Sequence, residues 1–296
     1  MESDSKLILK VNEENLYKRL DKFLRNNLKN VPLSEIYKFL RQGKVRVNQK
    51  RIRFPSYELH MGDCVELNVN VGIYKRKTRE IRSIPMKLEI VFENNDFLVL
   101  NKRAGIPIHP AGRVKRSTLI HGLLFYGRQK GFEPRLVHRL DSGTSGALLV
   151  AKNLKATRIL SRFFKEKVIK KEYLVLVKGK TKRAGRIELP LDGQEALTEF
   201  EALQNYSTVT LLRVRIHTGR THQIRKHLAT VGFPVVGDNI YGDKEFNRYF
   251  RRRYDLRRQF LHCYSLEFPD LSQPQKIRIK VPLPKELNTI LKELKL

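Results

Sequence analysis

The sequence predicts an α+β protein of two domains: a small, largely helical unit first, then a larger unit of short strands with flanking helices. Three observations predict it. The chain has 296 residues, enough for a sizeable core and more than one domain. Its first part carries apolar residues at helical spacing, whereas from Lys87 onward short apolar runs alternate with turn-forming clusters. Between the two, hydrophobicity drops and Lys75, Arg76, Lys77, Arg79 and Arg82 accumulate, which reads as a basic linker. The expected division is therefore 1–70, a linker over 71–86, and 87–296.

Composition narrows the partners. Hydrophobic content of 41% with 9% aromatics is ordinary for a folded protein and argues against wholesale disorder. The charge is not ordinary: 60 Lys and Arg face 30 Asp and Glu, a formal +30. Such self-repulsion points to a polyanionic partner, structured nucleic acid first. A membrane surface ranks second, but no apolar run approaches spanning length and no lipidation motif appears, so no membrane partner is expected. Met1 to Lys10 lacks the apolar core of a signal peptide. Cys64 and Cys263 stand far apart and form neither a zinc pattern nor a disulfide framework, so they read as buried thiols of a cytoplasmic protein. A monomer is expected.

In the first domain, Lys6 to Val11 alternates and reads as a strand. Leu16, Leu20, Phe23, Leu24 and Leu28 then form one apolar helix face, with Lys18, Lys22, Arg25 and Lys29 as a basic stripe beside it. Leu33, Ile36, Tyr37 and Leu40 give a second helix its core face; Lys38 and Arg41 lie outside it, and Gly43 ends it in the left-handed conformation. Short strands follow through Val45 and Val47, a polar turn at Asn48-Gln49-Lys50, and a strand from Cys64 to Val69. A charged stripe is usually just a solvated face. This one is almost free of interleaved acids, which favours a grip on a nucleic-acid backbone.

In the second domain, Leu88 to Phe92 and Phe97 to Leu100 flank Asn94-Asn95-Asp96 as a hairpin, and Asn101 to Pro110 leaves the sheet as an irregular loop. Ser117 is placed to cap a helix through Leu119, Ile120, Leu123, Leu124 and Phe125, with Gly127 after it. The stretch that organises the rest runs from Arg135 to Asn153. Ala147 to Ala151 is an apolar strand, and His138, Arg139 and Asp141 crowd the polar turn before it. A lone Asp in a Gly-Ser-Thr loop ordinarily caps a turn; a carboxylate on a loop feeding a central strand is also a good nucleophile or base. His109, His121 and His138 lie on separate elements without an acidic ligand at a recognised spacing, so no metal is expected.

Leu154 to Phe164 reads as a helix and Lys170 to Val177 as a strand containing Tyr173. Leu197 to Phe200 and Val209 to Ile216 are further strands. Thr221 is placed to cap a helix whose Ile224, Leu228 and Val231 face the core, with His222 and Arg225 on a neighbouring face beside Arg220. A helix start can deliver a guanidinium to an anionic centre, although a surface Arg is common on so basic a chain. Arg248, Arg251, Arg252, Arg253, Arg257 and Arg258 form a dense phosphate-binding segment; Lys276 to Val281 is a last strand and Pro284 to Leu294 a last helix.

The string H-R-L-D-S-G-T-S-G from His138 resembles the signature of the RluA/RluC/RluD-type pseudouridine synthases, and further matches recur in order. N-K-R-A-G-I-P-I-H-P from Asn101 is one, with Arg103 where the family usually has Pro; K-E-Y at Tyr173, T-G-R-T-H-Q-I-R ending at Arg225, and P-V-V-G-D-N-I-Y-G from Pro234 are others. R-L-D-K-F-L-R through L-S-E-I-Y-K-F-L-R-Q-G-K-V-R-V-N is similar to the alpha-L (S-four-type) RNA-binding module that precedes RluC-type enzymes. The resemblance implies a mixed, mainly antiparallel catalytic sheet with flanking helices. It implies Asp141 as the essential catalytic residue, Tyr173 against the target base and Arg225 paired with Asp141. Arg139 would fill the space left by a flipped base, and His138, Arg220 and His222 would contact RNA or order its loops. Lys18, Lys22, Arg25, Lys38 and Arg41 would supply grip.

Pseudouridine formation breaks the bond from uracil N1 to the ribose, turns the base and rejoins it through C5, with no redox step. No dinucleotide or phosphate-loop fingerprint is present, so no cofactor is expected. A glycoside hydrolase would need a second acid, and none is recognised in these motifs. Three functions follow: uridine isomerisation in large-subunit ribosomal RNA, the same activity on transfer RNA, and a non-catalytic RNA-binding assembly factor.

Overall fold

The computed structural model describes residues 6–12, 19–28, 30–69, 82–110 and 117–295. It divides the chain into two units, Met1–Glu80 and Ile81–Leu296. The basic residues 75–77 and 79 of the expected linker lie outside the described residues, as do Leu16, Lys18 and Lys29.

The N-terminal unit contains β1 (Lys6–Lys10), α1 (Leu20–Asn27), α2 (Leu33–Arg41), β2 (Val45–Val47), β3 (Lys50–Arg51) and β4 (Cys64–Asn68). Its antiparallel sheet has the order β1-β4-β2-β3, and Leu20, Phe23, Leu24, Ile36, Leu40, Val65 and Leu67 are buried together. Asn48 and Gln49 both have positive φ, 48° and 68°, the conformation a two-residue hairpin turn needs between β2 and β3. In α2 the core face differs from expectation. Leu33, the first residue of the helix, is 42% exposed, and Phe39 is buried with Ile36 and Leu40. Lys22, Arg25, Lys38 and Arg41 are exposed; on α2, Lys38 pairs with Glu35 at 3.4 Å.

The C-terminal unit comprises β5 (Ile90–Glu93), β6 (Phe97–Lys102), α3 (Leu119–Lys130), β7 (Arg135–Leu136), β8 (Ser145–Ala151), α4 (Leu154–Lys165), β9 (Lys170–Lys178), β10 (Ala184–Glu188), β11 (Leu197–Asn205), β12 (Val209–Ile216), α5 (Gln223–Thr230), α6 (Lys244–Tyr254), β13 (Leu261–Pro269), β14 (Lys276–Lys280) and α7 (Lys285–Glu293). The main sheet runs β10-β11-β12-β9-β13-β8-β6-β5, with β14 beside β13 and β7 beside β8. Every pairing is antiparallel except β13 with β8. This is a mixed, mainly antiparallel α+β arrangement. All of β8 is buried, which explains its unbroken apolar run. On β9, Tyr173, Val175 and Val177 join the large core while Leu176 points to a second one, where Phe250 of α6 and Leu287 and Ile290 of α7 pack.

Several boundaries move from their sequence positions. Thr118, not Ser117, caps α3, in a capping box with His121. That helix runs through Gly127 and ends at Gly131, φ 74°. A Cβ on Gly127 would stand 2.5 Å from the carbonyl oxygen of Phe132, so this glycine admits the returning chain and does not stop the helix. The α5 helix begins after His222, itself left-handed at φ 57°, without a Thr221 side-chain cap, and Val231 just beyond it is 38% exposed. The edge strand β10 has no counterpart in the sequence reading.

Candidate active site

The turn from Leu140 to Thr144 delivers Asp141 to the end of the buried strand β8, at the seam where the parallel strand β13 joins it. This turn is held from underneath by a buried lysine. Lys102, 1% exposed at the end of β6, donates from Nζ to the carbonyls of Arg103 (3.0 Å), Asp141 (3.3 Å), Ser142 (3.0 Å) and Thr144 (2.8 Å). Burial, with the nearby positive charge of Arg258, pulls Lys102 down to about 8, while Asp141 acts in the opposite direction.

Arg258 braces the same turn from the other side, donating to Gly143 O at 3.2 Å and Ser145 Oγ at 3.1 Å, with Glu286 as its ion-pair partner. It is thus removed from the phosphate-binding segment expected from sequence; Arg253 and Arg257 also pair with acids, Glu293 and Asp255. Next in β8, Gly146 has φ 112°, and a Cβ there would lie 2.2 Å from Cys263 O. Only glycine lets β8 and β13 approach so closely.

Across the cleft, Arg225 on α5 donates from Nη1 to Asp141 Oδ2 at 3.1 Å. The rest of its guanidinium goes to a carboxylate the sequence reading did not single out: Nε to Asp238 Oδ2 at 2.6 Å and Nη2 to Oδ1 at 2.7 Å. Asp238 is 1% exposed, and Oδ1 also accepts the backbone N–H groups of Ile240 and Tyr241. Burial pushes Asp238 up, but Arg225 and those amides outweigh it and hold the carboxyl below its usual range. Arg225 in turn is raised: burial lowers it, and its two carboxylate partners more than compensate. Tyr241 completes the cage, its ring 5.2 Å from the guanidinium and its hydroxyl 3.1 Å from His222 Nδ1.

Asp238 corrects the expectation that the motifs hold no second acid. It sits in the D-N-I-Y-G string, and both its oxygens are committed to Arg225. It is therefore not free to activate water or protonate a leaving group, as a hydrolase would require. Asp141 is arranged differently. Oδ2 takes the Arg225 bond, with His222 Nε2 at 3.9 Å, and among the described residues nothing hydrogen-bonds Oδ1, which leaves that oxygen for a ligand.

Tyr173 lies in register with Cys263, which in turn is in register with Gly146, so one row of three strands carries the phenol to the carboxylate. Burial, then the adjacent Cys263 thiol and the charge of Asp141, raise Tyr173 well above the ordinary phenol value, so it stays protonated and can donate. These groups line a cleft of about 570 Å³, ample for a pyrimidine nucleotide. Arg139 and Arg220 lie on its wall as well; Arg139 is exposed, and Arg220 Nε donates to Glu195 O at 3.1 Å.

His138 also reaches the cleft but is engaged below it. Its Nε2 accepts the Leu149 N–H at 2.8 Å, its ring stacks on Phe164 at 4.7 Å, and burial, with the charge of Lys171, pushes it down to about 3. Uncharged, it braces the turn from below. Among the described residues, no group of three or more His, Cys, Asp or Glu is placed to hold a metal ion, and no helix is long and apolar enough to cross a membrane.

Comparison with known proteins adds the following. Residues 96–230 match the family described as RNA pseudouridylate synthase, and residues 18–65 match the S4 domain. Ribosomal large subunit pseudouridine synthase C of Escherichia coli is 36% identical, over 99% of this chain and 98% of that protein. The protein of the same name from Buchnera aphidicola is 32% identical over 97% of this chain and 96% of its own. Among solved structures, human RNA Pseudouridylate Synthase Domain Containing 1 superposes with a TM-score of 0.55 at 27% identity, covering 71% of this chain and 95% of that one. The related human Domain Containing 4 protein, at 22% identity and a TM-score of 0.61, shares the fold.

Proposed function

The chain belongs to the RNA pseudouridylate synthase family, and on that premise we propose that it isomerises uridines of large-subunit (23S) ribosomal RNA, with Asp141 as the catalytic residue. It is an RNA pseudouridine synthase carrying an S4 domain. The substrate is inferred from relatives named for the large ribosomal subunit that match nearly end to end. Ribosome assembly then makes the cytoplasm its compartment, and the monomer its working form.

One observation supports the catalytic assignment above all: a carboxylate with one oxygen anchored to Arg225 and the other open to a nucleotide-sized cleft. Isomerisation exchanges the N1–C1′ bond for C5–C1′ and moves one proton from C5 to N1, so atoms balance without a co-reactant. Asp141 acts at the sugar–base junction, and Tyr173 faces the base with a proton to offer. Arg225, fixed by Asp238, holds the carboxylate in place at no cost of reorganisation during the reaction. The uridine must leave its stack, which costs a few kcal/mol, and Arg139 on the cleft wall fills the gap. Lys22, Arg25, Lys38 and Arg41 hold the RNA backbone, with Lys18 assigned the same part from sequence.

The test uses RNA labelled with tritium at uridine C5, which is released when C5 bonds to the sugar. Purified large-subunit rRNA should release tritium with wild type, and transfer RNA should not. Release from transfer RNA alone would refute the substrate assignment, and release from neither would refute the activity.

A further inference from the structure

Lys171 differs from every other cation of the cleft. It precedes Tyr173 by two positions on β9, so both side chains leave the same face of the strand, and both line the cleft. Its Nζ lies 5.7 Å from the centre of the Phe164 ring, and among the described residues no oxygen accepts a hydrogen bond from it. Burial holds it below the ordinary lysine value. Half-buried on the cleft wall, the ammonium has the Phe164 ring and solvent as its partners.

The wall opposite leaves this charge accessible. A Cβ on Gly219 would stand 4.0 Å from Lys171 Nζ, which places the ammonium beside the loop before α5. Farther out, the exposed Lys165 and Lys167 extend the positive potential toward solvent. Arg225 is committed differently, with three of its five N–H groups held by Asp141 and Asp238. Lys171 therefore lies between a floor where one guanidinium faces two carboxylates and a rim that is basic.

Resting on the function proposed above, we propose that Lys171 is an anion subsite for a phosphate that flanks the extruded uridine, and that it fixes the ribose over Asp141. An ammonium is suited to this as a compact point charge with three rotatable donors. Binding of the phosphate supplies the acceptor that the free protein lacks.

The test compares wild type and Lys171→Met on an rRNA fragment and on the same fragment with a neutral methylphosphonate at the linkage 5′ or, separately, 3′ of the target uridine. Lys171→Met should lower kcat/KM by about 10–100-fold, the range of a hydrogen bond to a charged group. One of the two neutral linkages should cost wild type a similar factor and cost Lys171→Met nothing more. Losses that multiply, or a wild type indifferent to both linkages, would overturn the subsite. Lys171→Met should leave the melting temperature nearly unchanged, because it removes a half-buried ammonium that no acid pairs with among the described residues; a marked drop would make Lys171 structural and overturn it too. A wild type that forms no pseudouridine in the native fragment sinks the function itself, whereas normal turnover by Lys171→Met sinks the subsite alone.

Discussion

The floor and the rim of the cleft hold charge in opposite ways. At the floor, Arg225, Asp238 and Asp141 are joined by three hydrogen bonds of 2.6–3.1 Å, and Asp238 is out of contact with water. At the rim, Arg139, Lys165 and Lys167 are exposed, and among the described residues no acid pairs with them. The difference follows from what each must do. Groups near the reacting bonds gain from being ordered before RNA arrives. Charges that meet a backbone of variable shape gain from staying mobile, and each adds little to stability.

This contrast can be broken at its strongest point by Arg225→Met, which strands two carboxylates, one of them fully buried. Stability should fall by about 3–5 kcal/mol, as when one partner of a buried pair is removed, and activity should vanish. Chemical denaturation measures the first; a loss under 1 kcal/mol would mean the cage is not a stabilising unit. Asp238→Asn should act less severely. It keeps the shape and one acceptor, so a loss of about 1–3 kcal/mol is expected, with kcat reduced more than RNA affinity. An unchanged kcat would show that Arg225 needs no support from behind.

At the rim the prediction reverses. Arg139→Ala should lower kcat/KM by about 10–100-fold, because an extruded base is no longer replaced in its stack, while stability shifts by no more than about 0.5 kcal/mol. An equal loss of stability would erase the distinction between floor and rim. The smallest effect at neutral pH belongs to His138. With its folded value near 3 against 6.5 when free, it binds a proton more readily in the unfolded chain. Its contribution thus leaves stability untouched above about pH 6.5 and lowers it progressively as pH falls from there toward 3. Asp238, depressed when folded, adds loss in the same direction at more acid pH. His138→Gln should flatten the upper part of that acid limb in a pH series of melting curves.

What the sequence disclosed is what short-range pattern encodes. The apolar run from Ala147 to Ala151 in β8 and the crowded turn before the strand lie close together in the chain, so Asp141 could be singled out there. Arg225 was marked by the string around it, and its meeting with Asp141 across 84 positions is a tertiary fact on which that resemblance bore. Asp238 stands within the D-N-I-Y-G string, yet nothing local distinguishes an Asp that turns inward toward a helix from one that ends a turn. Arg258 was hidden by its neighbours: in a run of arginines, only packing decides which one turns in to brace Gly143 and Ser145. Lys102 escaped notice for the same reason, since four carbonyls gathered from two loops leave no trace in spacing. The edge strand β10 buries only Ile187 among its five residues, too weak an alternation to read.

The most direct test of the account separates chemistry from grip at Asp141. Asp141→Asn should be assayed for single-turnover tritium release and, on the same RNA, for Kd. The account predicts that release is abolished while Kd stays within several-fold of wild type. Release at the wild-type rate would contradict it.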